Sequence, residues 1–295
     1  MTAPKFTKQM TVTQFDKLFP DDNACKAYLV ARRWPNGIRC PHCGSDRVYA
    51  LKTMPFKWEC PACASKGYRF SVLVGTIFEN TNVPMRIWFK VIYLMLTSKK
   101  GISSLQIHRM MGFGSYSTAL YMCHRIRAGL ADHEFRKLLG IVEVDETYVG
   151  GKNRNRHWDK RTPGTGGEGK DTVVGAVERN GNVVARVIAH ADTETLNSFI
   201  REAISEKVSL IATDDHPGYR KLKKHGIVRH STGQYVNGAV HTQTIDGFWS
   251  LLKRGIMGSF HKVSRKYLPL YVAEFEWRYN NRDNPDIFGA AIARC

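Results

Sequence analysis

Two pairs of cysteines and three dispersed aspartates are the side chains of this sequence with the clearest capacity for chemistry. Cys40-Pro-His-Cys43 and Cys60-Pro-Ala-Cys63 are Cys-x-x-Cys knuckles with 16 residues between them. Two thiolates at this spacing can grip one ion, and two knuckles complete a tetrahedral shell of four sulfurs. A filled shell leaves no open position, so a Zn²⁺ held there would fold a zinc ribbon and not catalyse. The rivals are a redox pair, which needs only one knuckle, and an iron site. His42 lies inside the first knuckle and reads as a bystander, because four sulfurs already fill the shell. Arg39, Arg47, Lys52, Lys57 and Lys66 surround the knuckles and favour thiolate and phosphate alike. Of the other cysteines, Cys25 and Cys123 read as ordinary buried thiols, and Cys295 also stands alone.

The aspartates lie further along. Glu143-Val-Asp145-Glu-Thr-Tyr sits in an apolar run. Strand alternation puts Val142 and Val144 on one face and Glu143, Asp145 and Thr147 on the other. Carboxylates repeated in such a strand call for a cation. Leu210-Ile-Ala-Thr-Asp214-Asp215 places a second acid just past a short buried strand, where α/β sheets collect functional residues. Asp246 is the third, in the first turn of a helix, with Ser250 and Lys253 on its face at i+4 and i+7. Each acid has a plainer account by itself. Glu146 and Asp215 read as solvated neighbours, and Asp246 suits a helix N-terminus by charge alone. Together, Asp145, Asp214 and Asp246 point to a site for Mg²⁺ or Mn²⁺. Two such ions would offset the repulsion between these acids and an anionic substrate, activate a water or a hydroxyl, and stabilise the leaving oxygen. Gln243, Glu274 and Glu276 compete for the third ligand position. Lys253 and Arg254 offer cationic donors for phosphate.

The elements that must position these groups can be read in outline. Residues 1–35 form a helical lead-in, with Asp21-Asp22-Asn23 capping a helix over 24–33 and Trp34-Pro-Asn-Gly37 turning the chain out of it. Short strand-like runs flank the knuckles over 38–72. Pro84 opens an apolar helix over 85–98. Helices over 104–111 and 117–131, with a turn at Gly112, have the pattern of a helix-turn-helix. In the second helix Ala119, Leu120, Met122, Cys123 and Ile126 supply a packed face. Tyr121, His124, Arg125 and Arg127 are expected outward, as donors to DNA. A helical linker with a solvated basic side is the alternative. After Gly140 the pattern becomes strands over 141–149, 172–178 and 183–189, with a mobile basic loop expected over 150–170. A helix from Asp192 or Thr193 to Ser205 follows, then strands over 209–213 and 226–230 and helices over 244–256 and 266–280. This order describes a mixed α/β domain.

The chain has 295 residues, 43% of them hydrophobic, which suits two or three small domains with real cores. A net charge of +18 favours a polyanionic partner. No stretch has the length of a membrane span: residues 87–97 reach about half of it and include Lys90. No apolar segment follows Lys5 and Lys8, so no signal peptide is expected. A cytoplasmic location follows, with thiols or metal ligands rather than disulfides.

At these residues the sequence resembles insertion-sequence transposases of the DDE superfamily that carry an N-terminal zinc ribbon, the ISXO2-like group. The resemblance runs through Ala27-Tyr-Leu, Arg33-Trp-Pro-Asn-Gly37 and the first knuckle, then Val142-Glu-Val-Asp-Glu-Thr-Tyr-Val-Gly-Gly151 and Thr213-Asp214. It ends with His241-Thr-Gln-Thr-Ile-Asp-Gly-Phe-Trp-Ser-Leu-Leu-Lys-Arg-Gly255 and Glu274-Phe-Glu-Trp-Arg-Tyr-Asn-Asn-Arg282. It implies an RNase H-like catalytic domain, divalent metal, and strand cleavage and transfer at transposon ends. Its partners would be transposon-end DNA and target DNA, bound by a homodimer or higher oligomer. Asp145 and Asp214 match the first two catalytic acids of the family. Its third position is usually Glu or Asn with Lys seven residues on; here Asp246 stands there and Lys253 keeps the spacing. The expected organisation is an α+β chain in three parts: helix and zinc ribbon over 1–75, helix-turn-helix over 76–138, and a catalytic domain over 139–295. A DNA-binding descendant without turnover and a zinc-ribbon nuclease are the alternatives.

Overall fold

The computed structural model describes residues 10–63, 67–132, 135–151, 157–160, 169–219, 222–228 and 240–295. Lys66, most of the basic stretch 150–170 and residues 229–230 of the last expected strand lie outside them. The chain divides into two compact units, Met1–Leu130 with Asp283–Cys295, and Ala131–Arg282.

In the first unit α1 (Val12–Leu18) opens with a capping box between Thr11 and Gln14, and Asp21 caps α2 (Asp22–Arg33). Three short antiparallel strands follow: β1 (Tyr49–Ala50), β2 (Lys57–Cys60) and β3 (Tyr68–Ser71). Helix α3 (Met85–Thr97) is apolar nearly all round and buries eight of its side chains, so it forms the centre of the helical core. α4 (Ser104–Met111) is capped by Ser103 and ends at Gly112, whose φ of 65° is the left-handed conformation that glycine closes a helix with. α5 (Tyr116–Leu130) packs against it.

The second unit is built on a five-stranded sheet of β4 (Ile141–Val149), β5 (Asp171–Glu178), β6 (Val183–Ile188), β7 (Leu210–Thr213) and β8 (His225–Ile227), in the order β6-β5-β4-β7-β8. β4 pairs antiparallel with β5 and parallel with β7. On one face Val142, Val144, Val174 and Ala176 pack with Leu196, Phe199 and Ile200 of α6 (Thr193–Ala203). On the other, Val173, Val177 and Val183 pack with α7 (Gln243–Gly255) and α8 (Leu268–Asn280). Helices cover both faces of a mixed sheet, the RNase H-like arrangement that the resemblance implies. The strand alternation expected for residues 141–149 holds, and it decides which carboxylate meets which helix.

The C-terminal helix α9 (Ile287–Arg294) escaped the sequence reading. It belongs to the first unit, where Phe288 meets Phe15, Phe19, Tyr28 and Phe89 at ring separations of 5.4–6.1 Å. The expected domain over 139–295 therefore runs past the second unit, which closes at Arg282. Burial of Phe288 among aromatic rings outweighs its nearness in sequence to α8. Among the described residues no helix is long and apolar enough to cross a membrane.

Candidate functional site

The four knuckle sulfurs converge. Cys40 Sγ lies 3.5 Å from Cys63 Sγ, Cys43 Sγ lies 3.6 Å from Cys60 Sγ, and all four are within 4.8 Å of one another. Four sulfurs around one Zn²⁺ at 2.3 Å would stand about 3.8 Å apart, so the set fits a tetrahedral ion. Against the desolvation of its burial, hydrogen bonds from the backbone of Cys43 and His42 and from neighbouring thiols hold the Cys40 thiol down to about 7. The knuckles stand on a small aromatic core: Trp58 contacts Trp34 at 5.5 Å and Phe70 at 5.9 Å, and the Arg33 guanidinium covers Trp34.

The helix pair α4–α5 has the expected packed face of Ala119, Met122, Cys123 and Ile126. Its outward face is smaller than the sequence suggested. Arg127 is fully buried and is not a surface donor. His124 is half-buried, its pKa lowered by that burial and by the charge of Arg127. Tyr121 is exposed, and Arg125 lies over its ring while donating Nη1 to the Glu79 carbonyl at 3.1 Å. Arg127 follows Tyr121 by six residues on α5. That places it past the exposed face and beside Cys123 and Ile126, a position that side-chain polarity by itself does not reveal.

The acids of the second unit are gathered by strand register. β4 and β7 pair Ile141 with Leu210, Val142 with Ile211 and Glu143 with Ala212; two residues further in that register, Asp145 stands opposite Asp214. Asp214 directly follows the carboxyl end of β7, where sheet crevices form, and Asp145 lies midway along the adjacent parallel strand β4. Pairing with β7 stops at Glu143, so among the described residues no strand lies on that side of the following part of β4. There Asp145 and Glu146, which leave the strand toward opposite faces, both reach Asp214, and the three carboxylates have oxygens within 4.8 Å of one another. Glu146 is thus a member of the cluster and not the solvated neighbour expected. Its Oε2 accepts a 2.6 Å hydrogen bond from Tyr219 Oη, and His216 Nε2 stands 3.7 Å from Oε1. Asp214 Oδ1 accepts the backbone N–H of His216 at 3.0 Å.

Among the described residues the cluster is short of positive charge. Burial, then the charges of Glu146, Asp214 and Asp246, push Asp145 up to about 7, against a 2.9 Å hydrogen bond donated by Trp249 Nε1. Glu146 is also raised, by burial first and by Asp214, although Tyr219 stabilises its charge. Carboxylates crowded and desolvated in this way are suited to a divalent cation, which would relieve both penalties.

Asp246 is exposed in the first turn of α7, close enough to act on Asp145 by charge but outside the group of three. Lys253 and Arg254 are exposed in the last turn, and Arg254 Nε donates to the Ser250 carbonyl at 3.1 Å. Of the competitors for the third position, Gln243 is exposed in the first turn of α7, and the two glutamates are engaged elsewhere. Glu274 is buried 3.5 Å from Arg278, and Glu276 accepts from Ala185 N and Arg186 Nη1. Besides Glu146, read from the sequence as a solvated neighbour, two contributors were not singled out there: Tyr219 and Trp249. Gly175, opposite Asp145 on β5, was the available signal for the last, since a Cβ there would meet the Trp249 ring at 2.7 Å.

Residues 137–280 match the ISXO2-like transposase domain, and residues 20–66 match the transposase zinc-ribbon domain. A protein from Halobacterium salinarum described as an uncharacterized protein in transposable element ISH50 is 29% identical, over 89% of this chain and 92% of its own length. An uncharacterized transposase-like protein from Haemophilus influenzae is 30% identical, over 33% of this chain and 80% of its own. Among solved structures, one chain of a simian T-cell lymphotropic virus intasome in complex with PP2A regulatory subunit B56 gamma aligns at 17% identity and a TM-score of 0.31. That alignment covers 58% of this chain and 67% of the other. With a four-cysteine ribbon, a mixed sheet and an acidic cluster where β7 ends beside β4, the chain belongs to the ISXO2-like, DDE-type insertion-sequence transposases.

Proposed function

We propose that this transposase binds the terminal inverted repeats of its element and joins their 3′ ends to target DNA, using Mg²⁺ or Mn²⁺ at the acidic cluster. The convergence of Asp145, Glu146 and Asp214 at one strand end carries this proposal. Bound ions would activate the attacking water or 3′-hydroxyl and stabilise the leaving oxygen. Asp145 and Asp214 hold the metal from the sheet, and Tyr219 orients Glu146. Asp246 approaches from α7 as the third acid of the family pattern. Lys253 and Arg254, exposed at the far end of the same helix, hold phosphate. Zn²⁺ fills the ribbon, and the protein acts in the cytoplasm as a homodimer or higher oligomer on DNA.

A strand-transfer assay with transposon-end and target duplexes tests the proposal. Asp246→Ala should be inactive, and Asp246→Glu, which reaches one methylene further, should keep or raise activity. An Ala variant that joins ends at the parental rate removes Asp246 from the site. Hydrolysis without joining would identify a nuclease, and DNA binding with neither activity would identify a DNA-binding descendant.

The helix pair α4–α5 is the proposed reader of the repeats, with Tyr121 and Arg125 as contacts. Arg125→Ala should weaken repeat binding and flatten its salt dependence by about one counterion. Arg127→Ala should act on folding instead, lowering stability by about 3 kcal/mol in a denaturant titration, because it empties a buried charged position. Loss of affinity in a fully folded Arg127 variant would return that residue to the DNA face.

A further inference from the structure

We infer that Glu143 and Arg179 form a positioning clamp that sets the N-terminus of α7, and with it Asp246, against Asp145. The inference rests on the metal-site reading proposed above. Glu143 is a fully buried carboxylate two residues before Asp145, on the same face of the same strand. A charge buried so deeply is tolerated only when it is paired and hydrogen-bonded. Both oxygens of Glu143 are engaged, and most of their partners lie at the entrance to α7. Oε2 accepts the backbone N–H of Thr244 at 2.7 Å and of Ile245 at 3.1 Å. Oε1 accepts the Thr244 hydroxyl at 2.9 Å and Arg179 Nε at 2.7 Å, with His241 Nδ1 at 3.2 Å.

The first N–H groups of a helix have no partners within it and are usually served by the side chain of the residue at the cap. In α7 the cap residue, Thr242, provides no such side-chain bond. The carboxylate that serves these donors comes instead from a strand about a hundred residues earlier. Arg179, just past the end of β5, completes the grip by donating Nη2 to the His241 carbonyl at 3.1 Å. It therefore holds both Glu143 and the residue that leads into the helix.

Asp246 directly follows Ile245, whose N–H is bound by Glu143. One turn along, Trp249 donates its indole N–H to Asp145. Glu143 and Asp145, alternate residues of β4, thus attach to α7 at 244–245 and at 249. Two attachments spaced along a rigid helix fix both its height and its rotation over the sheet, and hence where Asp246 points. Glu143 acts through α7 and is a positioning residue, not a metal ligand.

Full-length Glu143→Gln and Glu143→Ala proteins test the clamp, with Asp145→Asn as the blank. The readouts are Mn²⁺ binding by electron paramagnetic resonance and hydrogen exchange of the 242–248 segment, both below the melting temperature. The Ala variant should bind Mn²⁺ about 10- to 100-fold more weakly, as outer-sphere partners of metal ligands do when lost. Exchange at 244–245 should accelerate, while zinc content stays at the parental level. The Gln variant keeps an acceptor for the two N–H groups and should fall between Ala and parent. A folded Ala variant with parental Mn²⁺ affinity overturns the inference. Should the Ala variant fail to fold, Gln and Arg179→Lys carry the same test, and parental affinity in both overturns it. If the parent binds no more Mn²⁺ than the Asp145→Asn blank, the metal reading fails by itself. The clamp is then judged by exchange: unchanged protection at 244–245 in the Glu143 variants refutes it, and faster exchange upholds it.

Discussion

Asp145→Asn is expected to abolish strand cleavage and, in the same protein, to raise the stability of the metal-free fold. Losing one carboxylate ligand of a catalytic ion forfeits several kcal/mol of transition-state stabilisation, roughly 10³-fold or more in rate. The stability effect has the opposite sign. Asp145 sits at about 7 in the fold against an ordinary value of 3.8, chiefly because it is buried and then because three acids surround it. A carboxyl raised in this way favours the folded state when protonated. Its contribution is fully present below 3.8 and is lost as the pH rises through 7. At pH 8 the ionised group costs ~4 kcal/mol without metal. Asparagine can still accept the Trp249 N–H but carries no charge. Melting curves in chelator should therefore place the variant above the parent at pH 8, with the gap closing toward pH 4. Added Mn²⁺ should raise the parent's melting temperature and leave the variant's unchanged, since only the parent binds it in the folded state. A cleaving variant, or a metal-free parent equally stable at pH 5 and pH 8, would contradict the site as described.

Removal of zinc should have the largest structural effect. The three ribbon strands are two to four residues long and cannot support a core of their own size. Binding of structural Zn²⁺ supplies about 10–16 kcal/mol in comparable small modules, so folding of the ribbon and occupancy of the site are one event. Cys43→Ser or Cys60→Ser should lower zinc from one ion per chain to a small fraction. The same changes should separate Trp34 from Trp58 and Phe70, seen as a red shift and quenching of tryptophan emission. Stoichiometry is checked by metal analysis after dialysis. Protein that contains no zinc yet keeps parental emission would mean that the sulfurs converge for another reason.

Much of this was available from the sequence because it depends on local regularities. Cysteine spacing is a property of a few adjacent residues, and it was enough to group Cys40, Cys43, Cys60 and Cys63, whose sulfurs the fold brings together. The period of two along 141–149 put Glu143 and Asp145 on a common face, and the fold keeps them there, under α7. Helix bounds were legible to within two or three residues where caps and breakers are strong, as at Asp21, Ser103 and Gly112. What alternation cannot report is which element covers a face. Glu143 and Asp145 looked equivalent, yet one is consumed by a helix terminus and an arginine while the other faces the acidic cluster.

The sequence by itself determined the kinds of chemistry on offer: a four-thiolate site, carboxylates on a strand, past a strand end and at a helix start, and a basic chain that favours a polyanion. Tertiary structure decided membership and orientation. The β4–β7 register set Asp145 beside Asp214, and the end of that pairing let Glu146 join them from the other face. Packing turned Arg127 inward and carried α9 back to the first unit. These outcomes depend on contacts between residues far apart in the chain, and such contacts are chosen by the summed burial of whole faces. No local pattern encodes that sum, because a side chain's periodicity and polarity are the same whichever partner finally covers it.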